Sequence, residues 1–342
     1  MKKFLIKFII LFALIDGILL YYVFAVYSQL SGDMGHMGQI TFGTAYMDSL
    51  QNLYAADRLR VHNLQDIDSI NISIVTIGDS FSHFKEYGFS QAIAELLNTD
   101  IIDISVSDDG PLQTFVQYAN NNLFPPHTIV IVESVERSLL GRIQNIDLTD
   151  TSMPKIQAHT FVTADKNAPK KKPDYLTGTI KYIRRLLHFQ RYNSIHLYNT
   201  NVNLFSHPQM SNQLYIYDSP WDGDGDFRYR ESRIDNYSNI YNKLYDIHHL
   251  ASEHNIHFIF LVATDKYDVY EPFIIANHET NPTLDSIPSE DWIVNSKPFL
   301  QDAAFSGVKD IYYINDTHWS PVGAKIVGEE IVNRLRELGF IQ

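Results

Sequence analysis

Apolar residues recur along this chain with two periods. Short, β-branched runs at 72–77, 101–106, 128–132, 258–263 and 311–314 have the length and composition of buried strands. Between them the spacing is helical. Phe89, Ile93, Leu96 and Leu97 share one face, as do Ile240, Leu244, Ile247 and Leu250 within 239–254. Leu112 to Leu123 and 297–304 read as further helices. A last helix over 322–338 is opened by Pro321, at a position where a missing N–H costs nothing. Strands alternating with helices predict a parallel sheet covered on both faces. The expected fold is therefore α/β: a three-layer α/β/α sandwich around a mostly parallel five-stranded sheet, following an N-terminal transmembrane helix.

The N-terminal pattern is different in kind. From Phe4 to Tyr27 the chain is almost continuously apolar, with Asp16 as the awkward residue. At ~1.5 Å per residue the run reaches about 36 Å, enough to cross a bilayer core with some tilt. Lys2, Lys3 and Lys7 lie at its start, and the next charge after it is Asp33. The positive-inside rule places the N-terminus in the cytoplasm and the remainder outside. A cleaved signal peptide would have a shorter apolar region and a small-residue cleavage site, which is not evident. The organisation predicted is an anchor over 1–27, a juxtamembrane connector over 28–70 broken by glycines, and a catalytic domain over 71–342 with an insertion at about 141–235.

Composition narrows the partners. The 342 residues carry 27 Lys and Arg against 40 Asp and Glu, a net charge of −13. A nucleic-acid partner would call for a basic footprint, so none is expected. With no cysteine there is neither a disulfide frame nor a thiolate metal site. No Gly-x-Gly-x-x-Gly or Walker pattern appears, and no cofactor is expected. Trp221-Asp222-Gly223-Asp224-Gly225-Asp226 has acidic residues at calcium-loop spacing, but the twelfth position is Arg233 rather than a bidentate glutamate. His248, His249, His254 and His257 read as surface or interface residues, and no metal site is expected.

The chemistry concentrates at two stretches. The first strand ends in Gly78-Asp79-Ser80 just before a helix, a corner that exposes a serine and leaves its N–H to stabilise an oxyanion. Far downstream, Asp316-Thr317-His318-Trp319 puts a carboxylate two residues before an imidazole. In an extended loop that spacing points both side chains the same way. Ser80 as nucleophile, His318 as the base that takes its proton and Asp316 as the orienter of His318 make a triad by role.

Gly-Asp-Ser-Phe followed late by Asp-Thr-His-Trp-Ser-Pro-x-Gly-Ala resembles the SGNH (GDSL-type) hydrolase superfamily, over about 71–140 and 240–340. Within it the chain looks most like membrane-associated polysaccharide O-acetyltransferases of the alginate type. In those enzymes the Asp-x-His block precedes the serine, whereas here it follows, the usual order of the wider superfamily. The resemblance implies an extracytoplasmic serine O-acetyltransferase acting on a polysaccharide, fed by a membrane-bound O-acyltransferase. A carbohydrate acetylesterase and a non-catalytic assembly scaffold are the alternatives. It also implies an oxyanion hole from the N–H groups of Ser80 and Gly110, although a turn glycine before Pro111 is an equal reading.

Where the superfamily has an asparagine after the third strand, this chain has Glu133, which cannot donate when ionised. Arg137 is expected to hold a glutamate, face an anionic substrate or form a surface ion pair. Lys266 is expected to bind an acidic sugar or to pair with Asp265 or Asp268. Asp79, Glu133, Arg137, Lys266 and Trp319 complete the candidate substrate-binding set. A basic helix over 179–192 and aromatic residues at 215–229 are further candidates for membrane or sugar contact.

Overall fold

The computed structural model describes residues 2–21, 46, 49–50, 61–62, 73–83, 87–106, 110–153, 195–208, 210–217, 237–276, 287 and 289–342. Six strands form one parallel sheet: β1 (Val61–His62), β2 (Ile74–Gly78), β3 (Ile101–Ser105), β4 (Ile129–Val135), β7 (His257–Ala263) and β8 (Ile293–Asn295). Their order is β1-β3-β2-β4-β7-β8, and every pairing is parallel. A separate antiparallel pair, β5 (Ile195–Asn199) and β6 (Gln213–Tyr217), lies in the region expected to be an insertion.

The helices that follow the sheet strands are α2 (Ser80–His83), α3 (Phe89–Leu97), α4 (Pro111–Asn120), α5 (Glu136–Gln144), α6 (Tyr237–Glu253), α7 (Lys266–Tyr270), α8 (Ser296–Phe305) and α9 (Pro321–Glu337). They flank the sheet in two packing groups: α3 and α8 with α9, and α4 and α5 with α6. Because helices cover both faces, the strands carry unbroken apolar runs. Val130, Ile131 and Val132 of β4 and Ile259, Phe260 and Leu261 of β7 are all inaccessible to solvent. Each such side chain contributes about 1.5–3 kcal/mol.

The expected fifth strand is corrected. Ile311–Ile314 is fully buried yet stays out of the sheet; the chain folds back so that Tyr312 bridges Trp319 in antiparallel fashion. The edge position belongs to β8, within a stretch that reads as polar loop. With three residues, β8 is too short to show a period. The third predicted strand also runs further than expected, to Val135, so Glu133 is an interior strand residue rather than part of an exit loop.

In helix α1 (Lys2–Tyr21) the apolar side chains of Phe4, Ile9, Phe12 and Ile18 are exposed. Among the described residues no helix is long and apolar enough to cross a membrane. The sequence run continues to Tyr27, beyond the described residues. The basic helix at 179–192 and the Trp221–Asp226 stretch also lie outside them.

Candidate active site

The serine corner is built by a close approach. Gly78 ends β2, and a Cβ there would stand 1.6 Å from Ser82 Oγ and 2.7 Å from Glu133 Oε2. Only glycine lets the turn settle onto those two side chains. Ser80 then opens α2 and is exposed, while Asp79, Phe81 and Ser82 on either side are buried. Asp79 closes the turn through both its carbonyl, which accepts from Ser82 N–H (3.1 Å), and its carboxylate, which accepts from Phe81 N–H (3.1 Å).

The histidine arrives on a loop that supports itself. It is not extended, as the i, i+2 argument assumed, but a tight bend. Asp316 Oδ1 accepts from the His318 backbone N–H at 3.1 Å and from His318 Nδ1–H at 2.5 Å. One carboxylate oxygen thus fixes both the backbone and the ring. That bond sets the tautomer and leaves Nε2 as the acceptor. Ser80 Oγ donates to Nε2 at 2.6 Å. Phe81 packs beneath, with its ring centroid 4.8 Å from the imidazole and 4.9 Å from Trp319. Ser320 caps α9 by accepting from Val322 N–H (3.0 Å), with Pro321 in the first turn.

Below the serine lies a buried charged network. Glu133 Oε2 accepts from Asp79 N–H (2.9 Å) and Ser82 Oγ–H (3.0 Å). Asp79 Oδ2 accepts from Arg142 Nη1 (2.7 Å) and Val135 N–H (3.3 Å), and the same Arg142 nitrogen reaches Ser134 Oγ (2.8 Å). Burial acts to raise the Asp79 carboxyl, but the Arg142 charge and the hydrogen bonds outweigh it and hold it below its ordinary value. Glu133 goes the other way: burial, then the neighbouring Asp79 charge, push it well above the usual carboxyl range.

The remaining candidates divide. Gly110 is buried at φ +80°, a conformation glycine tolerates best, and caps α4. A Cβ there would meet the Arg142 side chain at 3.3 Å, which ties Gly110 to the network around Asp79. Arg137 is not on the surface. It lies in the first turn of α5, turned inward to a buried ion pair with Asp265, with its guanidinium 5.6 Å over the Phe81 ring.

Lys266 lies inside the protein rather than facing a ligand. Its Nζ is fully buried and donates to the carbonyls of Tyr313 (2.8 Å), Ile314 (2.9 Å) and Asp316 (3.3 Å). Those carbonyls have no sheet to join, because the loop turns back on itself. Trp319 is 2% exposed, so it packs under the site rather than facing a ligand. Asp79 is likewise structural in its contacts.

Sequence reasoning missed Arg142 and Ser82. Neither belongs to a contiguous motif; the available signal was a basic residue in the last turn of the helix after β4. It also did not bring Glu136 together with Asp265 and Asp268, whose carboxylate oxygens lie within 4.8 Å of one another, with Arg137 on Asp265. The four histidines disperse: His248 stacks on Trp292 (4.5 Å), His257 stacks on Phe340 (4.1 Å), His249 faces Glu253 and His254 faces Asn122.

No protein-family model matches the chain, and no curated protein matches it. Among solved structures, a salicylyl-acyltransferase, SsfX3, from a tetracycline biosynthetic pathway is a distant structural neighbour. It shares 13% identity at a TM-score of 0.31 over 79% of this chain and 56% of that one. A likeness this remote carries no argument about function; the geometry around Ser80 has to carry it.

Proposed function

We propose that this chain is a serine-dependent O-acyltransferase that moves an acetyl group onto a polysaccharide outside the cytoplasmic membrane. The observation that carries the reading is the hydrogen-bonded series Ser80 Oγ, His318 Nε2, His318 Nδ1 and Asp316 Oδ1, at 2.6 and 2.5 Å. It lies past the carboxyl ends of the parallel strands, where α/β folds bind ligands.

In this reading Ser80 Oγ attacks the acyl carbonyl while His318 Nε2 takes the hydroxyl proton. The N–H groups of Ser80 and Gly110 receive the developing oxyanion. Collapse breaks the bond to the leaving group, which takes the proton from His318, and an acetyl ester remains on Ser80. A sugar hydroxyl then gives its proton to His318 and attacks the ester, and Ser80 Oγ leaves with that proton. The apolar run from Phe4 to Tyr27, preceded by lysines, anchors the domain in the membrane with its N-terminus inside. The donor arrives through a membrane-bound O-acyltransferase partner.

Hydrolysis is the second reading, favoured by the exposure of Ser80, which lets water reach the acyl-serine. The two separate by product. Full-length protein in detergent, given a chromogenic acetyl ester and an oligosaccharide, yields acetylated sugar under transfer and free acetate alone under hydrolysis. Ser80→Ala lowers turnover by about 10,000-fold or more in either case. Turnover unchanged by Ser80→Ala removes Ser80 as the nucleophile, and no turnover in either protein leaves the scaffold reading or a strict need for the membrane partner.

A further inference from the structure

We propose that Glu133 is a positioning residue: a buried carboxyl that locks the nucleophile turn from below. The inference rests on the acyl-serine reading above. Its oxygen Oε2 takes one hydrogen bond from each side of Ser80, from Asp79 N–H before it and Ser82 Oγ–H after it. Gly78 leaves the room for this, since any Cβ there would press on the same oxygen at 2.7 Å. The carboxyl therefore braces the turn that aims Ser80 at His318.

The placement of charge keeps a proton on Glu133. Two carboxyl groups, Asp79 and Glu133, meet beneath the turn, and the guanidinium of Arg142 contacts Asp79. The other groups around them are Ser82, Ser134 and backbone N–H groups. Like charges this close cannot both ionise without a second cation. Glu133 is completely buried, so it is the one that stays neutral, in line with the upward push on its titration. Geometry of this kind matters to rate, because a misplacement of ~1 Å costs about 100-fold.

The test compares five full-length proteins on a chromogenic acetyl ester across pH: wild type, Glu133→Gln, Glu133→Leu, Ser82→Ala and Ser80→Ala. Glutamine is neutral and keeps an acceptor oxygen, so it should hold kcat within about threefold of wild type. It should also remove any loss of kcat on the alkaline side, where Glu133 would give up its proton. Leucine removes both bonds and should lower kcat by about 100-fold with KM unchanged. Ser82→Ala removes one bond and should lower kcat by about 10-fold, which keeps the test decisive if the leucine variant does not fold.

Glu133→Leu or Ser82→Ala with wild-type kcat overturns the proposal. So does Glu133→Gln falling as far as leucine, since the carboxyl would then act through its charge. Wild-type turnover that survives Ser80→Ala strikes the acyl-serine reading instead. Turnover lost with Ser80→Ala but untouched at Glu133 and Ser82 strikes this proposal alone.

Discussion

At the serine, three segments from two neighbouring strands meet through side chains: Asp79 and Ser82 after β2, Glu133 within β4, and Arg142 from the helix that β4 feeds. At the histidine, a single loop is held through its backbone. Asp316 returns to the His318 N–H, Tyr313 N–H bonds the His318 carbonyl at 3.2 Å, and Lys266 gathers three carbonyls. Ser80 is thus braced by a network of charged side chains drawn from separate segments, and His318 by a loop held mostly through its backbone groups. The serine side should be the more sensitive to changes of charge, and the histidine side to the loss of hydrogen bonds to the loop.

That contrast breaks most readily at Arg142 and Lys266. Arg142→Met strips Asp79 of its counter-charge beside a second carboxyl group; Arg142 is only partly buried, so the loss should fall below the about 3–5 kcal/mol of a fully buried pair. Asp79 is held below its ordinary value of 3.8. Its stabilising share is therefore present at neutral pH and lost as the pH falls through its folded value. The Arg142→Met penalty, read by denaturant unfolding, should shrink as the pH falls toward that range. Lys266→Met leaves three carbonyls short of a donor at a cost of about 1–3 kcal/mol. These carbonyl acceptors do not titrate, so the part of the penalty that comes from them should stay level from neutral to acidic pH. Two penalties with the same pH dependence would dissolve the distinction.

A smaller effect tests the close approach. Gly78→Ala drives a methyl group into Ser82 Oγ and should cost about 1–3 kcal/mol as an overpacked site, with turnover lost. Gly141 in α5 has open space around its Cβ position. The same substitution there should raise stability by about 0.5–1 kcal/mol with turnover intact. Thermal unfolding of both variants reads the difference.

The smallest expected effect is a slope. Glu133 is raised above its ordinary 4.5, so the unfolded chain releases this proton before the folded one does. Its contribution is full below about 4.5 and declines as pH rises through the folded value. Glu133→Gln removes the titration. Its melting temperature relative to wild type should improve between acidic and mildly alkaline pH, and a constant difference would place Glu133 outside the charged network.

The same contrast explains what could be read from the chain. Asp316-Thr317-His318-Trp319-Ser320-Pro321 is contiguous, and its hydrogen bonds run within it, so the motif is legible as text. The support beneath Ser80 is assembled from positions 78–82, 133–135 and 142, and no local pattern connects them. Glu133 was visible only as a residue of the wrong type for a donor. Its protonation depends on burial in β4, which became evident once the strand was seen to extend to Val135. Strands β2, β3, β4 and β7 were legible because continuous apolar runs are what doubly covered strands require. Ile311–Ile314 has the same composition but is buried as a folded-back loop clamped by Lys266, a tertiary arrangement that composition does not distinguish from a strand.

The central claim is that His318 makes Ser80 a nucleophile that carries the acyl group. Its most direct test is intact mass of the full-length protein, acid-quenched early after mixing with a chromogenic acetyl ester, for wild type, Ser80→Ala and His318→Ala. The expected result is one acetyl group on the wild type, mapped to Ser80 by peptide fragmentation, and none on either variant. Acetylation that maps elsewhere, or that persists in Ser80→Ala, would contradict the claim.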